Sequence, residues 1–257
     1  AGAGARQGRG GTRTGYGRRR AWRRGLPPGL PGDGRPDRPA PTAALDVTCS
    51  RGTHDSRQAS PASVFVALRG FKSDGVAFAP QAIAAGAAAV VAERAPDSPL
   101  SVPWVVVKDA RLALAQLAAE FFGHPSREMT VVGITGTNGK TTTGYLVSAI
   151  FEAAGITCGL LGTVTYRVCS HDFAATRTTP EAPEVQGLMR QMVTAGCGAC
   201  VMEVSSHALA LRRVDGIRFA AGIFTNLTRD HLDFHADMED YFAAKRRLFE
   251  MLPEGAP

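Results

Sequence analysis

Apolar residues between positions 43 and 125 fall into short runs separated by polar turns. Val64–Leu68, Ala88–Ala92 and Trp104–Val107 have the length and residue types of buried strands, and Ala79–Ala85 and Ala110–Phe122 are alanine-rich helical stretches. That alternation predicts a small α/β domain over residues 41–125. Gly123-His124-Pro125-Ser126 then stops the helix and marks a boundary. From Met129 the pattern restarts with a strand at Thr130–Thr135, a glycine-rich turn and a helix from about Lys140 to Ala154. Further strands are expected at Ala199–Val204 and Arg218–Phe224, and helices at Pro183–Thr194 and Met238–Met251. Over residues 126–257 this is the pattern of a parallel-sheet nucleotide-binding domain, so the fold class expected is α/β throughout, without internal repeats.

Composition changes this picture at the N-terminus. The chain of 257 residues carries a formal charge of +6, but residues 1–40 hold ten arginines against Asp33 and Asp37, which is +8, and leave −2 for the rest. Gly, Pro and Arg without apolar periodicity predict a disordered basic tail rather than a nucleic-acid surface. Arg18-Arg19-Arg20 is not followed by the apolar run that export requires, and no stretch of about 18 apolar residues occurs, so neither a signal peptide nor a membrane segment is predicted. The chain begins with Ala1 and ends at Pro257 just after a helical pattern, which suggests a fragment whose ATP-binding domain is incomplete. Five cysteines at irregular spacing speak against a secreted disulfide framework and for a cytoplasmic protein. Cys197-Gly-Ala-Cys200 has redox-motif spacing, yet Cys200 opens the apolar run Val201, Met202 and Val204, so both are expected as small core residues.

The strongest chemical signal is Gly136-Thr137-Asn138-Gly139-Lys140-Thr141-Thr142 between a strand and a helix. Such a turn lets backbone N–H groups close around phosphates while the helix N-terminus adds positive partial charge. Lys140 would reach the β- and γ-phosphates of ATP, and Thr141 would offer a hydroxyl to Mg²⁺. Glu203 ends a predicted parallel strand, where open α/β sheets bind ligands, and a carboxylate there can hold Mg²⁺, as can the imidazole of His231. His235 is expected to be a surface or packing histidine. Lys245, beside Arg246 and Arg247 on an amphipathic helix, reads by itself as part of a solvated face.

Ile134–Thr143 resembles the ATP loop of the Mur ligases, which form amide bonds through acyl phosphates. Thr178-Thr179-Pro180-Glu181, Met202–Leu209, Asn226–Asp233 and Tyr241–Lys245 resemble further blocks of that family in the same order. Upstream, Asp55-Ser56-Arg57, Val64–Gly70 and Asp74-Gly75 resemble the uridine-nucleotide domain of its tripeptide-synthetase branch. The resemblance implies a small uridine-nucleotide-binding domain followed by a P-loop ATPase domain, with the family's C-terminal domain absent. It implies contacts to the uridine nucleotide from Ser56, Phe71, Lys72 and Ser73. It likewise implies contacts to the muramoyl dipeptide from Thr178, Thr179, Ser205 and Arg213. The family's lysine at the position of Lys245 is carbamylated and helps place a second Mg²⁺, so Lys140, His231 and Lys245 become the implied catalytic set.

The implied partners are a UDP-muramoyl dipeptide and a diamino acid, either meso-diaminopimelate or L-lysine. Rival readings are another Mur-like ligase, of the folylpolyglutamate or cyanophycin synthetase type, and a truncated nucleotide-binding module without turnover. Thr178-Thr179-Pro180 can also be read as a helix cap. Two departures from the family stand out: Leu211 replaces a common glutamine, and Ala62 stands after Pro61 where glycine is common. Limited proteolysis is expected to remove residues 1–40 first; protection of that segment would contradict the disordered tail.

Overall fold

The computed structural model describes residues 49–70 and 73–257. The basic segment 1–40 and two expected uridine contacts, Phe71 and Lys72, lie outside the described residues. Two sheets are present. The first is parallel throughout, in the order β1 (Arg51–Thr53), β2 (Ser63–Val66), β3 (Ala87–Ala92) and β4 (Trp104–Val106). Its strands alternate between two covered faces, which is why they read as continuous apolar runs. Phe65, Val90 and Ala92 pack with the side of α1 (Ala79–Ala84), whereas Val66 and Val91 pack with Ala113, Leu114 and Leu117 of α2 (Ala110–Phe121). Asp109 caps α2 by accepting the Leu112 N–H at 2.9 Å.

The second sheet contains β5 (Thr130–Thr135), β6 (Cys158–Leu161), β7 (Thr165–Val168), β8 (His171–Ala174), β9 (Ala199–Glu203) and β10 (Ala221–Phe224), in the order β10-β5-β9-β6-β7-β8. The first four strands of that order are parallel. Val132, Ile134, Ala199 and Val201 face Val147 and Phe151 of α3 (Lys140–Ala153). Val131, Cys200 and Met202 face the opposite way, with Met189 and Met192 of α4 (Ala182–Thr194) and Leu248 of α6 (Met238–Glu250). A short helix, α5 (Ser206–Ala210), follows β9 directly.

Several features differ from the sequence expectations. β6, a short buried strand parallel to β9, and the antiparallel β7 and β8 beyond it were not among the expected strands; β8 is exposed along its whole length and so carries no apolar period. β10 starts at Ala221 rather than Arg218; Phe219 is buried in the core beside it. The helix-cap reading of Thr178-Thr179-Pro180 does not hold, since α4 begins at Ala182 after Glu181 and Thr179 bonds across the sheet instead. Cys197 and Cys200 are both buried, as expected.

The two sheets are joined by small residues. Ala115 and Ala118 of α2 meet Ala182 of α4. A Cβ on Gly216 would lie 2.6 Å from the Ala115 carbonyl oxygen, so that close approach requires glycine. Arg190 donates to the carbonyls of Phe122 and Gly123 at 2.8 and 3.0 Å, and Arg212 pairs with both Asp109 and Asp215.

The turn before β2 forms even though Ala62 replaces the common glycine, and it holds Ala62 at φ +63°. The Ala62 N–H donates to Gly86 O and its carbonyl accepts from Ser50 N–H, which fixes the strained geometry. A left-handed conformation costs an L-residue about 1–2 kcal/mol, partly offset in the glycine variant by unfolded-chain entropy. Ala62→Gly is therefore expected to stabilise the fold by about 0.5–1 kcal/mol in denaturant unfolding; a neutral or destabilising result would contradict strain at this turn.

Candidate active site

Parallel pairing brings three strand ends to one edge. Ile134 of β5 lies opposite Glu203 of β9, and Thr135 lies opposite Phe224 of β10. The glycine-rich loop, the acidic strand end and the segment after β10 therefore converge at the carboxyl edge of the sheet, where open α/β sheets place ligands.

The loop is held by residues some 90 positions later. Thr137 N–H donates to Asn226 O at 2.9 Å, Asn138 N–H donates to Asn226 Oδ1 at 3.0 Å, and Thr225 Oγ1 donates to Asn138 O at 2.7 Å. The buried Thr137 hydroxyl accepts the Thr228 N–H and lies 3.1 Å from the Tyr241 hydroxyl. Gly136 has φ +139°, and a Cβ there would meet Thr225 Oγ1 at 1.9 Å. Gly139, at φ +82°, turns the chain into α3 with open space around it.

Glu203 is the buried anion of the site. Its carboxylate accepts from Thr141 Oγ1 at 2.9 Å, from Thr163 N–H at 2.9 Å and from Thr163 Oγ1 at 3.0 Å. Thr179 Oγ1 donates to the Glu203 carbonyl at 2.8 Å and accepts the Ser205 N–H at 3.1 Å, so the segment before α4 is tied to the end of β9. Ser205 in turn caps α5 through the Ala208 N–H.

Lys140 Nζ donates to the carbonyls of Gly136 and Thr137 at 2.9 and 2.7 Å, closing its own loop. Burial lowers its pKa, against the opposing pull of Glu203 and Asp230. Lys245 is not on a solvated face: it is 1% exposed, donates to Gly136 O at 2.7 Å and lies 4.4 Å from the Tyr241 ring centroid. Burial, reinforced by the nearby Lys140 ammonium, brings its pKa down to about 8. His231, at φ +53°, sits edge-on to His207 with ring centroids 5.0 Å apart. His235 is buried as a packing residue against Tyr241.

A cleft of about 520 Å³ gathers Thr137–Thr141, Thr178, Thr179, Glu203, Ser205, Arg213 and His231 from the sequence-derived set. Gly136, Thr142 and Lys245 are not among its lining residues, and neither are Ser56 and Ser73 of the first sheet's loops. Ser56 is largely buried and donates its hydroxyl to Gln81 Oε1 at 2.9 Å. Arg213 is held by Glu181 at 2.8 Å and donates to Thr179 O at 3.2 Å.

The profile described as the Mur ligase middle domain matches residues 134–256, and that described as the Mur ligase family, catalytic domain, matches residues 52–122. The chain belongs to the Mur ligase family. A Geobacter sulfurreducens protein named UDP-N-acetylmuramoyl-L-alanyl-D-glutamate--2,6-diaminopimelate ligase is 53% identical over 203 residues, covering 78% of this chain and 40% of that protein. A Roseiflexus protein named UDP-N-acetylmuramyl-tripeptide synthetase is 51% identical over 206 residues, covering 78% and 40%. A solved structure of a 2,6-diaminopimelate ligase of the same name superposes with a TM-score of 0.69 and 27% identity, over 80% of this chain and 42% of that one. A Thermotoga maritima MurF ligase in complex with ADP shares the fold, with a TM-score of 0.56 and 23% identity over 80% and 44%. The chain thus spans about 40% of the length of the curated relatives it matches.

Sequence reasoning about this Mur ligase chain missed Thr163, Arg177 and His207, which also line the cleft. Thr163 follows β6, a strand that was not anticipated, and Arg177 immediately precedes the Thr178-Thr179 block and could have been taken with it. A second cleft, of about 810 Å³, runs between residues 50–55, the end of α2 and the start of α4, and it too is lined by Arg177. His54 lines that cleft, and its pKa is lowered chiefly by burial.

The Lys245 amine gives a pH test. In the folded chain it releases its proton near pH 8, and in the unfolded chain near the ordinary lysine value of 10.5. Unfolding therefore takes up a proton between those values, so this group's contribution makes the fold more stable as pH rises through that window, and is constant below it. Relative to Lys245→Met, wild-type stability is expected to climb between pH 8 and 10.5, by at most about 1.4 kcal/mol per pH unit. Denaturant unfolding at several pH values checks this; a flat difference would contradict the depressed amine.

Proposed function

We propose that this chain supplies the ATP and precursor sites of a cytoplasmic ligase that joins 2,6-diaminopimelate to UDP-N-acetylmuramoyl-L-alanyl-D-glutamate in peptidoglycan synthesis. The observation that carries the reading is the meeting of a phosphate-binding loop with a buried carboxylate and a wall of hydroxyls and guanidinium groups in one cleft. The names of relatives such as the Geobacter sulfurreducens ligase supply the choice of substrates and of diaminopimelate over lysine.

In this reading the loop amides of residues 136–142 and the N-terminus of α3 receive the phosphates of ATP. Lys140 exchanges its loop carbonyl acceptors for γ-phosphate oxygens. Thr178, Thr179, Ser205 and Arg213 hold the dipeptide end so that its D-glutamate carboxylate meets the γ-phosphorus in line, and the incoming amine then displaces phosphate from the acyl phosphate. Catalysis is positioning and charge neutralisation. The nucleotide end of the precursor extends toward the first sheet, past Arg177, which lines both clefts, and along the second cleft to residues 50–55 just before Ser56.

Mg²⁺ fits the donor set. Thr141 and Glu203 present hard oxygens 2.9 Å apart, and this ion needs few protein ligands when phosphate oxygens and water complete its shell. Bound there, it would neutralise charge on the transferring phosphoryl group. His231, which lines the same cleft, would be the further ligand, and Lys245 would contribute once carbamylated. Its depressed pKa supports that modification, because only the neutral amine reacts with CO₂.

Calorimetry is the test. The chain is expected to bind UDP-N-acetylmuramoyl-L-alanyl-D-glutamate, and Lys140→Ala is expected to weaken ATP binding by tenfold or more while leaving precursor affinity and thermal midpoint within error. Binding of a folyl or cyanophycin substrate in place of the UDP-precursor would overturn the assignment in favour of another amide ligase. Unchanged ATP affinity in Lys140→Ala would remove Lys140 from its role.

A further inference from the structure

The Cys197-Gly-Ala-Cys200 spacing suggests a pair, but the fold gives Cys197 a different neighbour. Cys169 and Cys197, 28 residues apart, place their sulfurs 2.8 Å from each other, only about 0.8 Å beyond the ~2.05 Å of a disulfide bond. Cys200 instead lies within β9, fully buried. Both members of the 169–197 pair sit on anchored backbone. Cys169 occupies the two-residue turn of the β7–β8 hairpin, closed by the Val168–His171 pair. Cys197 lies in the turn between α4 and β9, with its N–H donated to Met192 O at 2.9 Å. The Cys169 side also reaches this turn through Ala195 O, at 3.4 Å from its sulfur.

We propose that Cys169 and Cys197 form a reversible intramolecular disulfide when the chain meets a low-molecular-weight disulfide, fastening the β7–β8 hairpin to the α4–β9 turn. This does not depend on the reading of the cleft. The two cysteines differ in access: Cys169 is half-buried, Cys197 is buried, and burial together with the neighbouring Cys169 pushes the Cys197 thiol up to about 12. Cys169 is accordingly the attacking group. Its thiolate displaces one thiolate from the oxidant RSSR to give Cys169–S–SR and RS⁻. Cys197 gives up its proton and attacks the Cys169 sulfur as the thiolate, forming the Cys169–Cys197 bond; the RS⁻ that leaves takes up a proton and departs as RSH. Overall, two protein thiols are oxidised and one RSSR is reduced to two thiols.

The link has a structural consequence. β8 runs directly into Thr176–Thr179, and the α4–β9 turn runs into the strand that ends at Glu203. Closing a loop of 28 residues restricts the unfolded chain, and the two sulfurs are already in contact.

The experiment treats the purified chain with oxidised glutathione, blocks remaining thiols with N-ethylmaleimide and maps the products by mass spectrometry after trypsin. The expected product is about 2 Da lighter before blocking. It keeps three of its five cysteines alkylatable and joins peptide 168–177 to peptide 191–212, with fragmentation locating the second sulfur at Cys197. Its thermal midpoint is expected to rise by roughly 5–10 °C over the reduced form, reversed by dithiothreitol. Cys169→Ser, a near-isosteric change at a half-buried turn position on the margin of the core, is expected to fold with a reduced midpoint close to that of the parent chain and to show neither link nor shift on oxidation. Five alkylated cysteines after oxidation, a lasting glutathione adduct on Cys169, a link from Cys169 to any other cysteine, or a link without a rise in midpoint would each overturn the proposal.

Discussion

The parallel register of β10, β5 and β9 is the constraint on which the site depends. With Ile134 opposite Glu203 and Thr135 opposite Phe224, the segments leaving β10 and β9 each start about 5 Å from the end of β5. The glycine-rich loop can then be clamped by Asn226 and Thr228, and the Glu203 carboxylate can reach Thr141. A one-residue slip of β9 would turn Glu203 to the opposite face of the sheet, and the apolar alternation of Val201 and Met202 between two different cores prevents it.

The second organising feature is the burial of charge beside that edge. Glu203 and Lys245 are almost wholly inaccessible, and their hydrogen-bond partners are different groups. The carboxylate is satisfied by two hydroxyls and an amide, whereas the ammonium shares the Gly136 carbonyl with Lys140. The difference has a physical result. A carboxylate beside a threonine hydroxyl offers oxygens that can hold a hard cation, while an amine buried away from water and next to another cation is driven toward its neutral form. The same short loop thus separates two kinds of chemistry on its two sides.

Attachment between the sheets is built from shape more than from apolar mass. Alanines and Gly216 let α2, α4 and the loop after α5 approach closely, and Arg190 and Arg212 bridge what remains. Arg177 lines both clefts and pairs with Glu181, which also holds Arg213. A small set of charges therefore lies where an extended ligand would pass from one unit to the other.

The amino-acid sequence by itself determined the α/β class, most of the strands and helices, and the glycine-rich loop with its flanking strand and helix. Those features are local: apolar period, glycine turns and motif spacing are written within a few residues of each other. It also pointed to Glu203, Thr178, Thr179, Ser205 and His231, which the fold brings to one cleft with the loop. The tertiary structure alone decided the polar β7–β8 hairpin, the burial of Lys245, the use of Thr179 as a cross-sheet tie and the lining roles of Thr163 and His207. It also decided that Cys197 meets Cys169 instead of its sequence neighbour Cys200. The hairpin is a local pairing whose exposed β8 carries no apolar period; the others rest on contacts across 24 to 109 residues, and whether a polar side chain faces solvent, a carbonyl or another sulfur depends on which distant segment covers it, which no local period records.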